Sequence, residues 1–350
     1  MLKTVTPFRQ LHRLYASVLS AASSLEQINT GRTSAQQPLS PEIEERLGEI
    51  SARIASVGAY PELNGNRAIG HTWQDTATMI RELQRQIASE MPDNVAALGW
   101  NSYAQCDEDG IIRACLDRIA KVVPLSKSFI EIGCGNGLEN NTHQLLLDGF
   151  RGAWLDGSPQ NIGFIAKQLG ALESPALLVK EAFATLESIG ALIEQFRKFL
   201  GTDDLDFFSF DIDGNDLHLL PVALESIAPK LICVEYNGKF PPPTRLAMTY
   251  AEGHQWGEDD YFGASLQAWV DLLSNSYTLV SCNLSGVNAF FVRNDLLAQF
   301  EVYPVAQLYQ PCRYWLVGNS GHRASLKWLR QALLGNLDGS SRPGNSQGSA

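Results

Sequence analysis

Hydrophobic positions in the first ninety or so residues recur at spacings of three and four. Phe8, Leu11, Tyr15, Val18, Ala22 and Leu25 make one stripe, Ile43, Leu47, Ile50 and Ile54 a second, and Trp73, Ile80, Leu83 and Ile87 a third. That period places each set on one face of a helix, so the stretch predicts three helices. Residues 30–39 are polar and interrupt the pattern. Ser40-Pro41-Glu42 then offers a cap, a first-turn proline and an early acid, and Thr72 caps the third segment with Asp75 three residues on. The stripes read as a helical bundle packed on the main domain. A dimerisation or membrane-surface element is the alternative, and would make the chain a homo-oligomer through these helices.

From about residue 98 the pattern changes. Short apolar runs at 128–132, 151–155, 176–180, 205–211 and 230–236 alternate with helical stretches, and each ends in a polar or glycine-containing turn. Such alternation predicts stacked βαβ units, a parallel sheet with helices on both faces. Tyr277–Cys282 and Ala289–Arg293 flank Asn283–Asn288 and predict an antiparallel hairpin closing one edge. A helix is expected over 323–334, and the Gly/Ser/Asn-rich tail from Asp338 is expected to be disordered. The organisation read from these patterns is a helical region 1–97, an α/β domain 98–300, an extension 301–337 and a tail 338–350.

Composition narrows the function classes. The chain has 350 residues, 27 Lys and Arg against 38 Asp and Glu, and a net charge of −11. A phosphate backbone would be repelled, so no nucleic-acid partner is expected. Charge interrupts every apolar run well before the ~20 residues of a bilayer span, so no transmembrane segment is expected. The six cysteines form no C-x-x-C pair and no zinc-finger spacing. They suit packing roles in a reducing, cytoplasmic compartment. Lys3, Arg9 and Arg13 before Leu14–Ala22 make a poor signal peptide, short and diluted by serine.

The stretch richest in chemistry is Phe129-Ile130-Glu131-Ile132-Gly133-Cys134-Gly135-Asn136-Gly137. An apolar strand runs into three alternate glycines, which let a backbone turn sharply and a ligand lie against it. The third glycine comes one residue early for a dinucleotide fingerprint, with Leu138 in its place, and no lysine follows as in a phosphate loop. A nucleoside without phosphates, such as S-adenosylmethionine, fits better. Asp156, nineteen residues after Gly137 at the end of the next run, is placed to accept from a ribose diol. Glu131 lies within reach of the methionine amino group, directly or through water. Glu139, Asn140, Asn141 and Thr142 open the following helix, whose free N–H groups suit a carboxylate; helix capping is the plainer reading. The cofactor set is therefore Glu131, Gly133, Gly135, Asn136, Gly137, Glu139, Thr142, Asp156 and, after the third run, Glu181. His143 is read as structural.

With these residues the chain resembles class I S-adenosylmethionine-dependent methyltransferases, and more closely the FkbM-type family, over roughly residues 99–295. The similarity lies in E-I-G-C-G-N-G, in the acidic fourth run Asp206–Asp216, in S-G-V-N-A-F-F-V and in Ser102–Gly110. It implies a Rossmann-like class I methyltransferase sheet, mostly parallel and closed by an antiparallel hairpin. It also implies O-methylation of a carbohydrate or glycoconjugate hydroxyl, on a small-molecule or glycan substrate. The N-terminal helices lie outside the resemblance.

A hydroxyl acceptor needs a base or a metal to take its proton. Candidates lie where open α/β sheets bind ligands, at the carboxyl ends of the strands. Asp211 and Asp213 follow the fourth run, Glu235 the fifth, and His254 sits in the long loop Gly238–Gly263 that could lid a substrate. Asp211, Asp213 and Glu235 are expected within about 8 Å of one another, where carboxylates share a cation or position a hydroxyl. Magnesium is the candidate ion. Asp216 and Asn237 are weaker candidates, with helix capping the alternative for Asp216. An EF-hand is rejected, since glycine falls at position four and residue 222 is valine. The competing functions are a non-catalytic assembly protein on this fold, favoured if the acids point away from the glycine loop, and a nicotinamide-dependent oxidoreductase, disfavoured by the glycine spacing.

Overall fold

Seven strands form one sheet in the order β3-β2-β1-β4-β5-β7-β6. They are β1 Ser128–Ile132, β2 Arg151–Asp156, β3 Leu177–Glu181, β4 Phe207–Phe210, β5 Leu231–Glu235, β6 Tyr277–Cys282 and β7 Asn288–Arg293. These strands come from a computed structural model that describes residues 74–317 and 324–335. The first five strands pair in parallel, and β7 is antiparallel to both β5 and β6. The fold is thus the expected α/β, Rossmann-like sheet, mostly parallel and closed at one edge by an antiparallel hairpin. The hairpin forms as expected, with β7 against β5 and β6 outermost. β1 and β4 are buried along their whole length, because helices cover both faces of a parallel sheet. Phe129, Phe207, Phe208, Phe210, Trp154 and Phe290 fill the interior.

Local signals set the helix ends. Ser158 caps Pro159–Leu169, its Oγ accepting from the Asn161 N–H at 3.3 Å, and Gly170 ends the helix at φ 81°. At the amino ends of the central strands Lys230 and Asp206, both buried, pair at 3.0 Å. Asp206 also accepts from the N–H groups of Ser126 and Ser128. One carboxylate therefore joins the starts of β1, β4 and β5, at the end of the sheet away from the glycine loop.

The boundary expected at residue 98 is corrected. The unit holding the sheet begins at Thr72. The helix over residues 74–90 sends Ile87 into the same core as Met91 and Val95, with Ile80 and Leu83 packed against it. Ile80, Leu83 and Ile87 of its stripe are thus covered by the sheet domain. The two earlier stripes lie outside the described residues. The extension from 301 also joins this core through Leu308, Leu316, Leu326 and Leu329. Its helix runs Lys327–Leu333, shorter than expected, and packs on His143–Leu147 and Pro159–Leu169. The tail 338–350 lies outside the described residues. Among the described residues no helix is long and apolar enough to cross a membrane.

Asp107, Glu108 and Asp109 are buried at the start of helix Glu108–Ile119. Asp107 accepts from the Leu284 N–H at 2.9 Å, and Glu108 accepts from the side chains of Asn283 and Asn288. Asp109 accepts from the N–H groups of Ser102, Tyr103 and Ala104. The acidic run in the upstream segment of the resemblance thus clamps the β6–β7 turn.

Candidate functional site

Strand order reverses between β1, which leads to β2 and β3, and β4, which leads to β5. Open sheets bind ligands at such a reversal, beyond the carboxyl ends of the strands. A cavity of about 370 Å³ lies there, within the range of small-molecule sites. Gly133, Gly135, Asp156, Asp211, Glu235 and His254 are on its wall.

The three glycines serve different ends. All have positive φ, 85°, 57° and 75°. A Cβ on Gly133 would lie 1.6 Å from the Asp211 carbonyl oxygen, and one on Gly137 would lie 2.9 Å from the Trp154 ring. Those two positions are small because the protein itself crowds them. A Cβ on Gly135 would meet nothing within 4 Å, so this position is bare toward the cavity. A cofactor lying against the backbone fits that opening. Asn136 turns back on the loop, its Oδ1 accepting from the Leu138 N–H at 3.1 Å, and is off the cavity wall.

Asp156 ends β2 beside this loop. Its Oδ2 accepts from the Gly135 N–H at 2.8 Å, and its Oδ1 accepts from the Ser158 N–H at 2.8 Å and from Asn161 Nδ2 at 3.0 Å. A carboxylate has about four lone-pair sites. Three are taken, so one lone-pair site, on Oδ2, remains open to a ribose hydroxyl. Phe183 lies on the same side of the cavity, near Gly157.

Glu131 and Thr142 are placed otherwise than expected. Both are buried and neither is on the cavity wall. Glu131 accepts from the Asn141 N–H at 2.8 Å and bonds the Thr142 hydroxyl, which accepts from Trp154 Nε1 at 2.7 Å. The glutamate faces the helix layer and fastens the loop from behind; burial pushes its pKa up to about 7. Thr142 is spent in that network, and its helix, His143–Leu147, is a short one. His143 is structural as read. Its ring stacks on Tyr103 at 3.6 Å, its Nδ1 donates to the Gly137 carbonyl at 2.8 Å, and burial lowers its pKa to about 4. Glu139 is on the wall. Glu181 is exposed and off it, its place taken by Ala182, Phe183 and Ala184.

Asp211, Asp213 and Glu235 do converge, each offering a carboxylate oxygen within 4.8 Å of the others. Burial raises Asp211 well above the usual carboxylate range, and the charges of Asp213 and Asp216 raise it further. Burial and then Asp211 do the same for Glu235, whose Oε2 is buried without a partner. Asp213 sits at φ 54°, a conformation uncommon outside glycine. Burial and the charge of Asp156 raise its pKa, while His254 lowers it. His254 is held by packing. A Cβ on Gly214 would stand 2.4 Å from its ring, and its Nε2 is buried without a partner. The loop carrying it is tied down by Asn215, which donates to and accepts from the Ala251 backbone at 2.8 and 3.1 Å.

Two weaker candidates leave the site. Asp216 accepts from the N–H groups of Ile212 and Gly214, both at 2.8 Å, and so fixes the turn. Asn237 closes its own loop on Asp260 and Phe262. Gln105, Asn161, Phe183 and Val287 join the wall. Of these Gln105 and Val287 had a signal, through the Ser102–Gly110 and S-G-V-N-A-F-F-V resemblances. The acids and the glycine loop share one cavity, so the geometry that would favour a non-catalytic fold is absent from the described residues.

No family model and no curated protein matches the chain. Among solved structures it is similar to an O-methyltransferase from Bacillus cereus in complex with SAH, at 15% identity and TM-score 0.34, over 62% of this chain and 91% of that one. It is also similar to the N-terminal domain of EvdMO1 in the presence of SAH and D-fucose, at 15% identity and TM-score 0.35, over 61% and 95%. The assignment of the fold rests on the strand order itself.

Proposed function

We propose that this chain is an S-adenosylmethionine-dependent O-methyltransferase. The observation that carries the reading is one cavity with two unlike sets of groups on its wall. Bare Gly135 and Asp156, with one lone-pair site to spare, make one set, and the converging carboxylates of Asp211, Asp213 and Glu235 the other. The first set suits a nucleoside diol; the second suits removal of a hydroxyl proton. The acceptor proposed is a carbohydrate or glycoconjugate hydroxyl, on the strength of the FkbM-type resemblance.

S-adenosylmethionine supplies a methyl group already activated on a sulfonium. The chain's residues must hold an acceptor oxygen in line with it and take the proton. Asp156 and the Gly133–Gly137 turn hold the nucleoside, and Glu139 stands by for its amino acid portion. Asp211, Asp213 and Glu235 repel one another at close range, so one binds a proton more tightly than an ordinary carboxylate. A carboxylate tuned toward neutrality is a better general base for a hydroxyl. A divalent cation held by the same three residues would relieve that repulsion and acidify the hydroxyl instead. His254 neighbours Asp213 and serves as the second proton acceptor.

Parallel calorimetric titrations with S-adenosylmethionine, S-adenosylhomocysteine and NAD test the reading. Binding of the first two and not the third is expected; binding of NAD alone would overturn it. Chelation followed by added magnesium or manganese separates the two modes of proton removal.

A further inference from the structure

The segment 309–316 is strapped onto the turn after β5 and the β6–β7 turn. Tyr309 Oη donates to the Gly238 carbonyl and Tyr236 Oη to the Gln310 carbonyl, both at 2.6 Å. The Arg313 N–H donates to Ser285 O at 2.7 Å, and its guanidinium donates to Leu284 O at 2.9 Å. Two glycines give it room. A Cβ on Gly286 would lie 2.3 Å from the Pro311 carbonyl oxygen, and one on Gly238 would lie 2.9 Å from Cys312 Sγ. These anchors adjoin Glu235 and Val287, which are both on the cavity wall.

Fixed in this way, the strap carries two large aromatic side chains outward. Tyr314 and Trp315 are each 58% exposed. Cys312 Sγ lies 3.5 Å from Tyr314 Oη. Burial raises the Tyr314 pKa first, then Cys312 and the charge of Glu235 add to it. The strap touches neither Gly135 nor Asp156 in any hydrogen bond of the structure. Among the described residues the cavity wall holds five carboxylates, Glu139, Asp156, Asp211, Asp213 and Glu235, and no lysine or arginine.

We infer that Tyr314 and Trp315 form the acceptor wall of the site and select an uncharged ring bearing hydroxyl groups. Exposed aromatic faces on an immobile backbone offer flat apolar area with a polar tip, which suits a ring with a hydroxylated edge. The surrounding acids turn away phosphorylated or carboxylated rings, since like charges in a partly desolvated cleft repel strongly. The inference rests on the cavity being the methyl-transfer site and adds which residues meet the acceptor and what sets its charge. A saturated sugar and a phenol share this chemistry.

The test uses the full chain and four probes: methyl α-D-glucopyranoside, methyl α-L-rhamnopyranoside, catechol and glucose 1-phosphate. Saturation-transfer NMR, with and without S-adenosylhomocysteine, reads ring binding, and calorimetry reads S-adenosylhomocysteine. At least one neutral ring should bind and glucose 1-phosphate should not, and catechol against the glycosides tells phenol from sugar. Tyr314→Ala and Trp315→Ala should each weaken that ring by about tenfold or more and leave S-adenosylhomocysteine affinity and Tm as they were. Equal binding of the phosphate, no ring bound at all, or unchanged ring affinity in both variants would each overturn the inference. Ring binding lost in the variants of a protein that never binds S-adenosylhomocysteine would sink the methyl-transfer reading and keep the wall.

Discussion

The backbone N–H of Gly135 donates to Oδ2 of Asp156 at 2.8 Å. The bare turn after β1 and the acid closing β2 are therefore one hydrogen-bonded unit, and a change at either reaches the other.

Asp156→Ala should weaken S-adenosylhomocysteine binding by about 1.5–3 kcal/mol, the scale of a lost charge-assisted hydrogen bond. It also frees the Gly135 and Ser158 N–H groups, so Tm should fall modestly. Calorimetry on a folded variant decides: affinity equal to the parent's would remove Asp156 from the nucleoside site.

Gly135 and Gly133 should part company on substitution. Gly135→Val places its side chain in open space at φ 57°. That costs about 1–2 kcal/mol of backbone strain, and the protein should fold yet lose S-adenosylhomocysteine binding. Gly133→Ala drives a methyl onto the Asp211 carbonyl and should cost folding itself. Thermal unfolding and calorimetry on both variants check the contrast. Full affinity in Gly135→Val would make that glycine structural.

Glu131 should make stability depend on pH. Its folded pKa is pushed to about 7 from an ordinary 4.5, so between those values the folded chain holds a proton that the unfolded chain releases. Stability then falls as pH rises. The contribution is fully present below about 4.5 and lost as pH passes about 7, up to about 3 kcal/mol in all. Glu131→Gln should flatten that part of the curve of Tm against pH and spare S-adenosylhomocysteine affinity. A large loss of affinity would return Glu131 to the cofactor site.

Lys230→Met should destabilise by about 3–5 kcal/mol, because it strands the buried Asp206 carboxylate. The Lys230→Met/Asp206→Asn double variant should recover part of the loss. Urea midpoints measure both, and ligand affinity should hold, since the pair lies at the far end of the strands.

The strands were legible because continuous apolar runs of four to six residues are what a doubly covered sheet requires. Asp211, Asp213 and Glu235 were legible for a related reason: ends of neighbouring parallel strands must lie together. Glu131 was misread because β1 is buried on both faces. No polar alternation marks which face its one acid takes. Thr142 followed it, being placed with the cofactor at a helix start when its partner is a side chain eleven residues back. The third apolar stripe was read correctly as a helix, but a stripe does not say what covers it, so the domain boundary fell too late. Tyr314 and Trp315 belong to no period, and the hydrogen bonds that fix their segment, at 309, 310 and 313, have no sequence signal either.

The clamp between Asp107 and Leu284 joins residues 177 positions apart, and that between Glu108 and Asn288 spans 180. Contacts so distant along the chain must wait for large loops to close, which slows folding. During synthesis the helix from Glu108 is made long before its partners, and its two carboxylates stay in water until the hairpin arrives. The last antiparallel strand is thus a checkpoint on the first helix of the sheet layer. A nascent chain that stalls before β6 would have two acids to bury and nothing to bury them against, leaving it open to chaperones and proteases.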